Sequence, residues 1–171
     1  MVILFYGQPA SGKTTLAKAL KYKVGEIYNY LVFESKWKLP NGFKKISSNS
    51  ILIDGDKWRD VTKNKDYSKE GRLRNLKGAF DMALYLENEG YIPILSFVTP
   101  YDELRQYLKD NADSLIEIYL EYNEDRGRNM NFAKDFEVPN IDCLKLNTSE
   151  LDIDNCLIKV INYIKENGKL G

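Results

Sequence analysis

Apolar residues recur along the chain in short blocks, separated by longer stretches in which apolar positions return at helical spacing. The strand-length blocks cover residues 2–6, 50–53, 91–97, 115–120 and 141–146. The first, Val2-Ile3-Leu4-Phe5-Tyr6, is apolar throughout, the pattern of a strand buried on both faces. Leu73, Leu76, Phe80, Ala83, Leu84 and Leu86 predict a helix from about Lys69 to Glu89, stopped by Gly90. Further helices are predicted over about 13–23, 101–110 and 153–167. Strands alternating with helices predict an α/β fold, a mostly parallel five-stranded sheet with helices on both faces. Ligands of such sheets bind beyond the carboxyl ends of the strands, so the loops after residues 6, 53, 97 and 120 should surround one cleft.

The loop after the first strand carries the chemistry. Gly7-Gln8-Pro9-Ala10-Ser11-Gly12-Lys13-Thr14 fits the phosphate-binding P-loop G-x-x-x-x-G-K-[ST], and Thr15-Leu16-Ala17-Lys18-Ala19-Leu20 continues as a helix. Strand, glycine loop and helix in this order are the context the motif requires. The glycines let backbone N–H groups turn toward a polyphosphate, and the helix N-terminus adds partial positive charge. Residues Gly7 to Thr15 are therefore the expected nucleotide-binding set, with Lys13 on the β- and γ-phosphates and Thr14 on a magnesium ion. ATP and magnesium are the expected cofactors, and the fold expected is that of P-loop nucleotide-binding enzymes.

A second constellation closes the second strand: Ile53-Asp54-Gly55-Asp56-Lys57-Trp58-Arg59. Carboxylates at a strand's carboxyl end, beside a P-loop, can orient a magnesium water shell and accept the proton of an attacking hydroxyl. Asp54 is the first candidate for both tasks and Asp56 the supporting one; with Lys13 they form the expected catalytic set. An ordinary Asp-Gly-Asp turn is the competing reading. Two stretches are less regular. Residues 24–49, with Tyr28, Tyr30, Phe33 and Trp37, read as a helix and turn packed on the sheet edge or as an aromatic wall for substrate. The polar stretch 121–140 reads as a lid in which Arg126, with Arg128 and Lys134, neutralises phosphate charge, or as a solvated loop.

Composition narrows the classes. At 171 residues the chain suits one domain, spanning 1–171. Lys plus Arg and Asp plus Glu both number 25, so no global field recruits nucleic acid or an anionic membrane. No stretch approaches the roughly 20 apolar residues of a membrane span. The two cysteines, Cys143 and Cys156, fit neither a metal cluster nor a disulfide framework, and read as buried, reduced thiols of a cytoplasmic protein without a leader peptide. Histidine is absent, which excludes imidazole acid–base chemistry.

Three further blocks carry a resemblance. Asp54-Gly55-Asp56…Arg59 resembles the D-G-D-N-x-R block of adenylylsulfate kinases. Tyr67-Ser68-Lys69-Glu70-Gly71-Arg72-Leu73-Arg74-Asn75-Leu76 resembles their F-S-x-x-D-R-x-E-N-[IL] block, and Ser96-Phe97-Val98-Thr99-Pro100-Tyr101 their S-F-I-S-P-[YF]. With the P-loop, four blocks in order cover about residues 1–120. The resemblance implies ATP-dependent phosphorylation of the 3′-hydroxyl of adenylylsulfate. It implies that Asp54, Arg59, Arg72 and Asn75 contact the acceptor, that Tyr67 stacks on its base, and that Ser96 and Phe97 border the site. Three departures stand out: Lys57 for asparagine, Gly71 for aspartate, and a stretch 121–139 that lacks the family's G-L-Y-x-K-A-R and F-T-G-I. The partner implied is a small nucleotide acceptor; a nucleic-acid hydroxyl is less favoured, a homodimer is open, and a binding module without turnover is the rival class.

Overall fold

The computed structural model describes residues 1–22, 49–123, 127, 132–139 and 143–168. The stretch 24–48, Arg126 and Arg128 thus lie outside the described residues. In chain order the elements are β1 (Val2–Tyr6), α1 (helical over 13–22), β2 (Ser50–Asp54), α2 (Gly55–Thr62), α3 (Lys69–Asn88), β3 (Ile92–Phe97), α4 (Asp102–Asn111), β4 (Leu115–Glu121), β5 (Leu144–Asn147) and α5 (Ile153–Asn167). The five strands form one sheet in the order β2-β3-β1-β4-β5, and every pairing is parallel.

The all-apolar sequence of β1 follows from its place. It lies between β3 and β4, with Leu4 opposite Leu95 on one side and Glu117 on the other, and all five residues are buried. Side chains alternate across the sheet. Ile3 and Phe5 join Leu16 and Leu20 of α1 and Val160, Ile161 and Ile164 of α5 on one face. Val2, Leu4 and Tyr6 join Leu76, Phe80 and Ala83 of α3 and Leu104 and Leu108 of α4 on the other. Helices cover both faces, as the alternation of elements predicts. The chain leaves β1 toward β2 on one side and β3 toward β4 on the other, so the crevice at the carboxyl ends of β1 and β3 is the switch point where ligands bind.

Two elements differ from expectation. The strand expected over 141–146 is Leu144–Asn147, an edge strand whose first pair is Leu144 with Ile118. Cys143 precedes it, half-buried against the α3–α4 face, while Cys156 is on the buried face of α5; both are free thiols. Helix α2 is not anticipated at all. It buries none of its own residues, so no apolar stripe announces it. Its signal is the cap: the Asp54 carboxylate accepts from Lys57 N at 3.3 Å, with Asp56 in the first turn against the helix dipole. The same capping logic starts α3, where Ser68 Oγ accepts from Gly71 N at 3.1 Å.

Phe80 is fully buried and meets Phe97 edge to face at 6.4 Å between ring centroids, directly beneath the crevice. Phe80→Ala should lower stability by about 3–5 kcal/mol in urea denaturation. Met82→Ala on the same helix, at a side chain 42% exposed, should stay within about 0.5 kcal/mol.

Candidate active site

The P-loop is shaped by backbone constraints that only glycine meets. Gly7 has φ +143°, and a Cβ there would fall on the Leu120 carbonyl oxygen of β4 and 3.1 Å from Ser11 Oγ. Gly12 has φ +89°, again left-handed territory. The Lys13 ammonium is buried and folds across the loop, donating to Gln8 O at 2.6 Å and Ser11 Oγ at 3.3 Å. Those are neutral acceptors, which a phosphate oxygen would outcompete as a charge-assisted partner.

Three strand ends meet just beyond the loop. Thr14 Oγ1 donates to Asp54 Oδ2 at 2.6 Å and lies 3.1 Å from Ser96 Oγ. With the Thr14 proton committed to the carboxylate, the Ser96 hydroxyl is the donor of the second bond. Asp54 thus links the P-loop hydroxyl through one oxygen and caps α2 through the other. Gly55 follows because a Cβ would lie 3.1 Å from the Phe97 ring and 3.2 Å from Ser96 O. Asp56 is exposed one turn out, on the rim.

A cavity of about 380 Å³ opens from this junction. Pro9, Ala10, Gly12, Lys13, Thr14 and Thr15 line it from the P-loop side. Asp54, Asp56, Arg59, Tyr67, Arg72, Asn75, Ser96 and Phe97 line the remainder. Gly7, Gln8 and Ser11 do not: Gly7 abuts β4, Ser11 is fully buried, and Gln8 turns away.

The far wall is cationic and aromatic. The Arg59 guanidinium stacks 4.3 Å from the centre of the Tyr67 ring and Arg72 lies 5.7 Å from it, while Arg72 Nε donates to Tyr67 O at 3.0 Å. Arg59 Nη1 also reaches Asn64 O and Oδ1 at 3.2 Å and Asp66 O at 3.0 Å. Burial lowers the Arg59 pKa, and the Arg72 charge lowers it further against the opposing pull of Tyr67, Asp56 and Asp66. Two guanidinium groups held together on one ring favour an anionic ligand. Asn75 is 5% exposed and its Oδ1 has no hydrogen-bond partner among the described residues. An orphaned buried acceptor costs about 1–3 kcal/mol, and cavity-lining ones are where ligand donors are received.

Sequence reasoning missed how the P-loop is strapped from outside. The Gln8 carboxamide pairs with one backbone residue in both directions: Nε2 donates to Ala133 O at 2.9 Å and Ala133 N donates to Oε1 at 3.1 Å. Tyr122 OH donates to Pro9 O at 2.7 Å and Thr148 Oγ1 to Ser11 O at 3.2 Å. The strap 132–139 is anchored again at its other end. There the buried Arg105 donates to Thr99 O at 3.0 Å and to Asp102 Oδ1 and Glu137 O at 2.9 Å, and Glu137 N donates to Pro100 O at 2.8 Å. These partners lie up to 137 positions apart, with no local pattern to betray them. Lys134 is exposed on the strap.

A P-loop, a carboxylate at the end of a second strand and a parallel 2-3-1-4-5 sheet together define a P-loop kinase. The sequence profile described as "Adenylylsulphate kinase" matches residues 38–132, just over half of the chain, and the chain belongs to that family. It is a phosphotransferase with an alcohol group as acceptor. The matched stretch begins after the P-loop, so the Asp54 block onward carries the match independently of the nucleotide motif. Adenylyl-sulfate kinase of Halothermothrix orenii is 26% identical over 190 residues, covering 100% of this chain and 92% of that one. Cytidine diphosphoramidate kinase of Campylobacter jejuni is 26% identical over 120 residues, 70% of this chain and 59% of that one. Among solved structures, APS kinase of Mycobacterium tuberculosis in complex with AMPPNP and APS superposes with a TM-score of 0.70 at 17% identity, over 96% of each chain, a likeness of fold. No helix among the described residues is long and apolar enough to cross a membrane.

The strap makes a local prediction. Gln8→Leu removes two hydrogen bonds of about 1 kcal/mol each, so the Ala133 amide should exchange about tenfold faster or more. Amides of β1 should be unchanged in the same experiment.

Proposed function

We propose that this chain transfers the γ-phosphate of ATP to a nucleotide hydroxyl, and that the 3′-hydroxyl of adenylylsulfate is the acceptor. The observation that carries the reading is convergence: Lys13, Thr14 and Asp54 share one cavity with Arg59, Tyr67, Arg72 and Asn75. The first group is suited to a triphosphate and the second to an anionic, base-bearing acceptor.

The roles follow from placement. Lys13 exchanges the Gln8 carbonyl for the β- and γ-phosphates and spreads the charge that develops on them. Asp54 accepts the proton as the acceptor oxygen bonds to the γ-phosphorus and the bond from that phosphorus to the ADP oxygen breaks. Arg59 and Arg72 grip the acceptor's phosphate and sulfate, Tyr67 offers a ring face to its base, and Asn75 Oδ1 receives a donor from it. Arg126, outside the described residues, would add its charge to the neutralisation of the transferring phosphates. Asp56 supports Asp54 from the rim, and Ser96 and Phe97 form the floor.

Magnesium fits the same junction. Thr14 Oγ1 and Asp54 Oδ2 present two hard oxygens 2.6 Å apart. No cluster of three metal-ligating side chains occurs among the described residues, consistent with an ion held largely by phosphates and water. When bound, such an ion neutralises β- and γ-phosphate charge. The reaction would yield an activated sulfate donor for sulfate assimilation, in the ATP-rich cytoplasm.

Labelled ATP with adenylylsulfate tests the proposal. Transfer should depend on both side chains, with Lys13→Ala and Asp54→Asn each losing a factor of about 10² or more in kcat while Asp54→Asn still binds ATP. Absence of label on adenylylsulfate with the parent enzyme rejects this acceptor.

A second acceptor reading rests on a specific similarity. The Campylobacter jejuni relative is a cytidine diphosphoramidate kinase, and this chain departs from the resembled adenylylsulfate kinase blocks at Lys57, Gly71 and 121–139. Competing cytidine nucleotides against adenylylsulfate separates the two: label on the cytidine compound alone favours the second.

A further inference from the structure

Gly71 stands third inside α3, counted from its Ser68 cap, the position from which a carboxylate or carboxamide side chain ordinarily reaches back to the cap's own N–H. Glycine has no side chain to do so. A Cβ at Gly71 would lie within 2.5 Å of both carboxylate oxygens of Asp66. Asp66 Oδ1 accepts from Ser68 N at 2.9 Å, while Ser68 Oγ accepts from Gly71 N at 3.1 Å. Both bonds of a reciprocal cap are therefore present, with the carboxylate arriving from two residues before the helix instead of from within it. Hydrogen bonds from Ser68, with the Arg74 and Arg59 charges, hold the Asp66 carboxyl below the usual carboxylate range. Arg74 Nη2 lies 3.6 Å from Asp66 Oδ2.

The substitution has a consequence for the pocket. Asp66 is part of a turn tied through its backbone as well: its N–H donates to Asn64 Oδ1 at 2.9 Å and its carbonyl accepts from Arg59 Nη1 at 3.0 Å. The next residue is Tyr67, stacked on Arg59, whose carbonyl holds Arg72. A cap supplied from within the helix would satisfy Ser68 and remove the Asp66 carboxylate's tie to the helix start, leaving the turn to its bonds with Arg59, Arg72 and Asn64.

We propose that Asp66 is a positioning residue of the acceptor pocket, seating its carboxylate in the space Gly71 leaves bare and so fixing the 64–68 turn that sets Tyr67 against Arg59 and Arg72. This deepens the acceptor assignment made above and rests on it for its kinetic test. The seat is tolerant of change in one respect: a side chain at position 71 meets the end of the Asp66 side chain, not backbone, so it evicts the carboxylate without unfolding the helix.

Asp66→Ala, Gly71→Asp and the double variant separate positioning from capping. Asp66→Ala should lower the melting temperature by about 2–4 °C. It should also raise the KM for adenylylsulfate about tenfold, leave the KM for ATP within about twofold, and speed exchange of the residue-66 amide about tenfold. The double variant, with its carboxylate returned from the helix, should regain the melting temperature. It should keep the raised acceptor KM and the fast residue-66 amide. Recovery of all three would mean that Asp66 only caps the helix, and would overturn the proposal. So would an unchanged acceptor KM in Asp66→Ala, or a double variant whose melting temperature does not recover. If the parent enzyme does not label adenylylsulfate, the acceptor reading falls. Melting and amide exchange then decide the role of Asp66 alone: a residue-66 amide that returns to parental exchange in the double variant overturns it, and one that stays fast upholds it.

Discussion

The bond from the Thr14 hydroxyl to Asp54, 2.6 Å long, is where this molecule's architecture becomes chemistry. It joins the helix that follows β1 to the end of β2, across β3, whose Ser96 completes the junction from below. Parallel strands deliver their carboxyl ends to one edge, so three separate loops bring polar groups to one point without long excursions. The all-apolar β1 and the two helix layers hold that edge rigid. Placing reacting groups on a fixed scaffold is most of what phosphoryl transfer asks of a protein.

From this junction the cavity runs toward a wall of different character. The P-loop side offers a glycine-bearing backbone and one lysine; the far side offers two guanidinium groups on an aromatic ring and an orphaned amide oxygen. That division suits two anionic ligands meeting in line. The loop nearest the nucleotide is braced by Gln8, Tyr122 and Thr148, so ordering on one side reaches the strap 132–139 through direct hydrogen bonds.

What could be read in the sequence was whatever is contiguous. The P-loop, the Asp54 block and the Tyr67–Asn75 block are short runs, each opening onto a helix, and residues from all three line one cavity. The sheet was legible because buried parallel strands are apolar on both faces. Helix α2 was not, because it has no buried residue and its cap coincides with the acidic pair that drew the chemical reading. The bracing bonds were invisible for another reason: Gln8 and Ala133 are 125 residues apart, and neither type is diagnostic of the contact. Gly71 is intermediate. Its departure from the resembled block is plain in the sequence, but that Asp66 fills the space beside it is a fact of three dimensions.

The central claim is that donor and acceptor occupy the two ends of one cavity at once. The most direct measurement is calorimetry with a bisubstrate analogue, ADP joined through an added phosphate to the 3′-oxygen of adenosine 5′-phosphate. The account predicts affinity about 10² or more above that of ADP, with the gain abolished by Arg72→Ala. An analogue that binds no tighter than ADP, or whose gain is indifferent to Arg72, would contradict it.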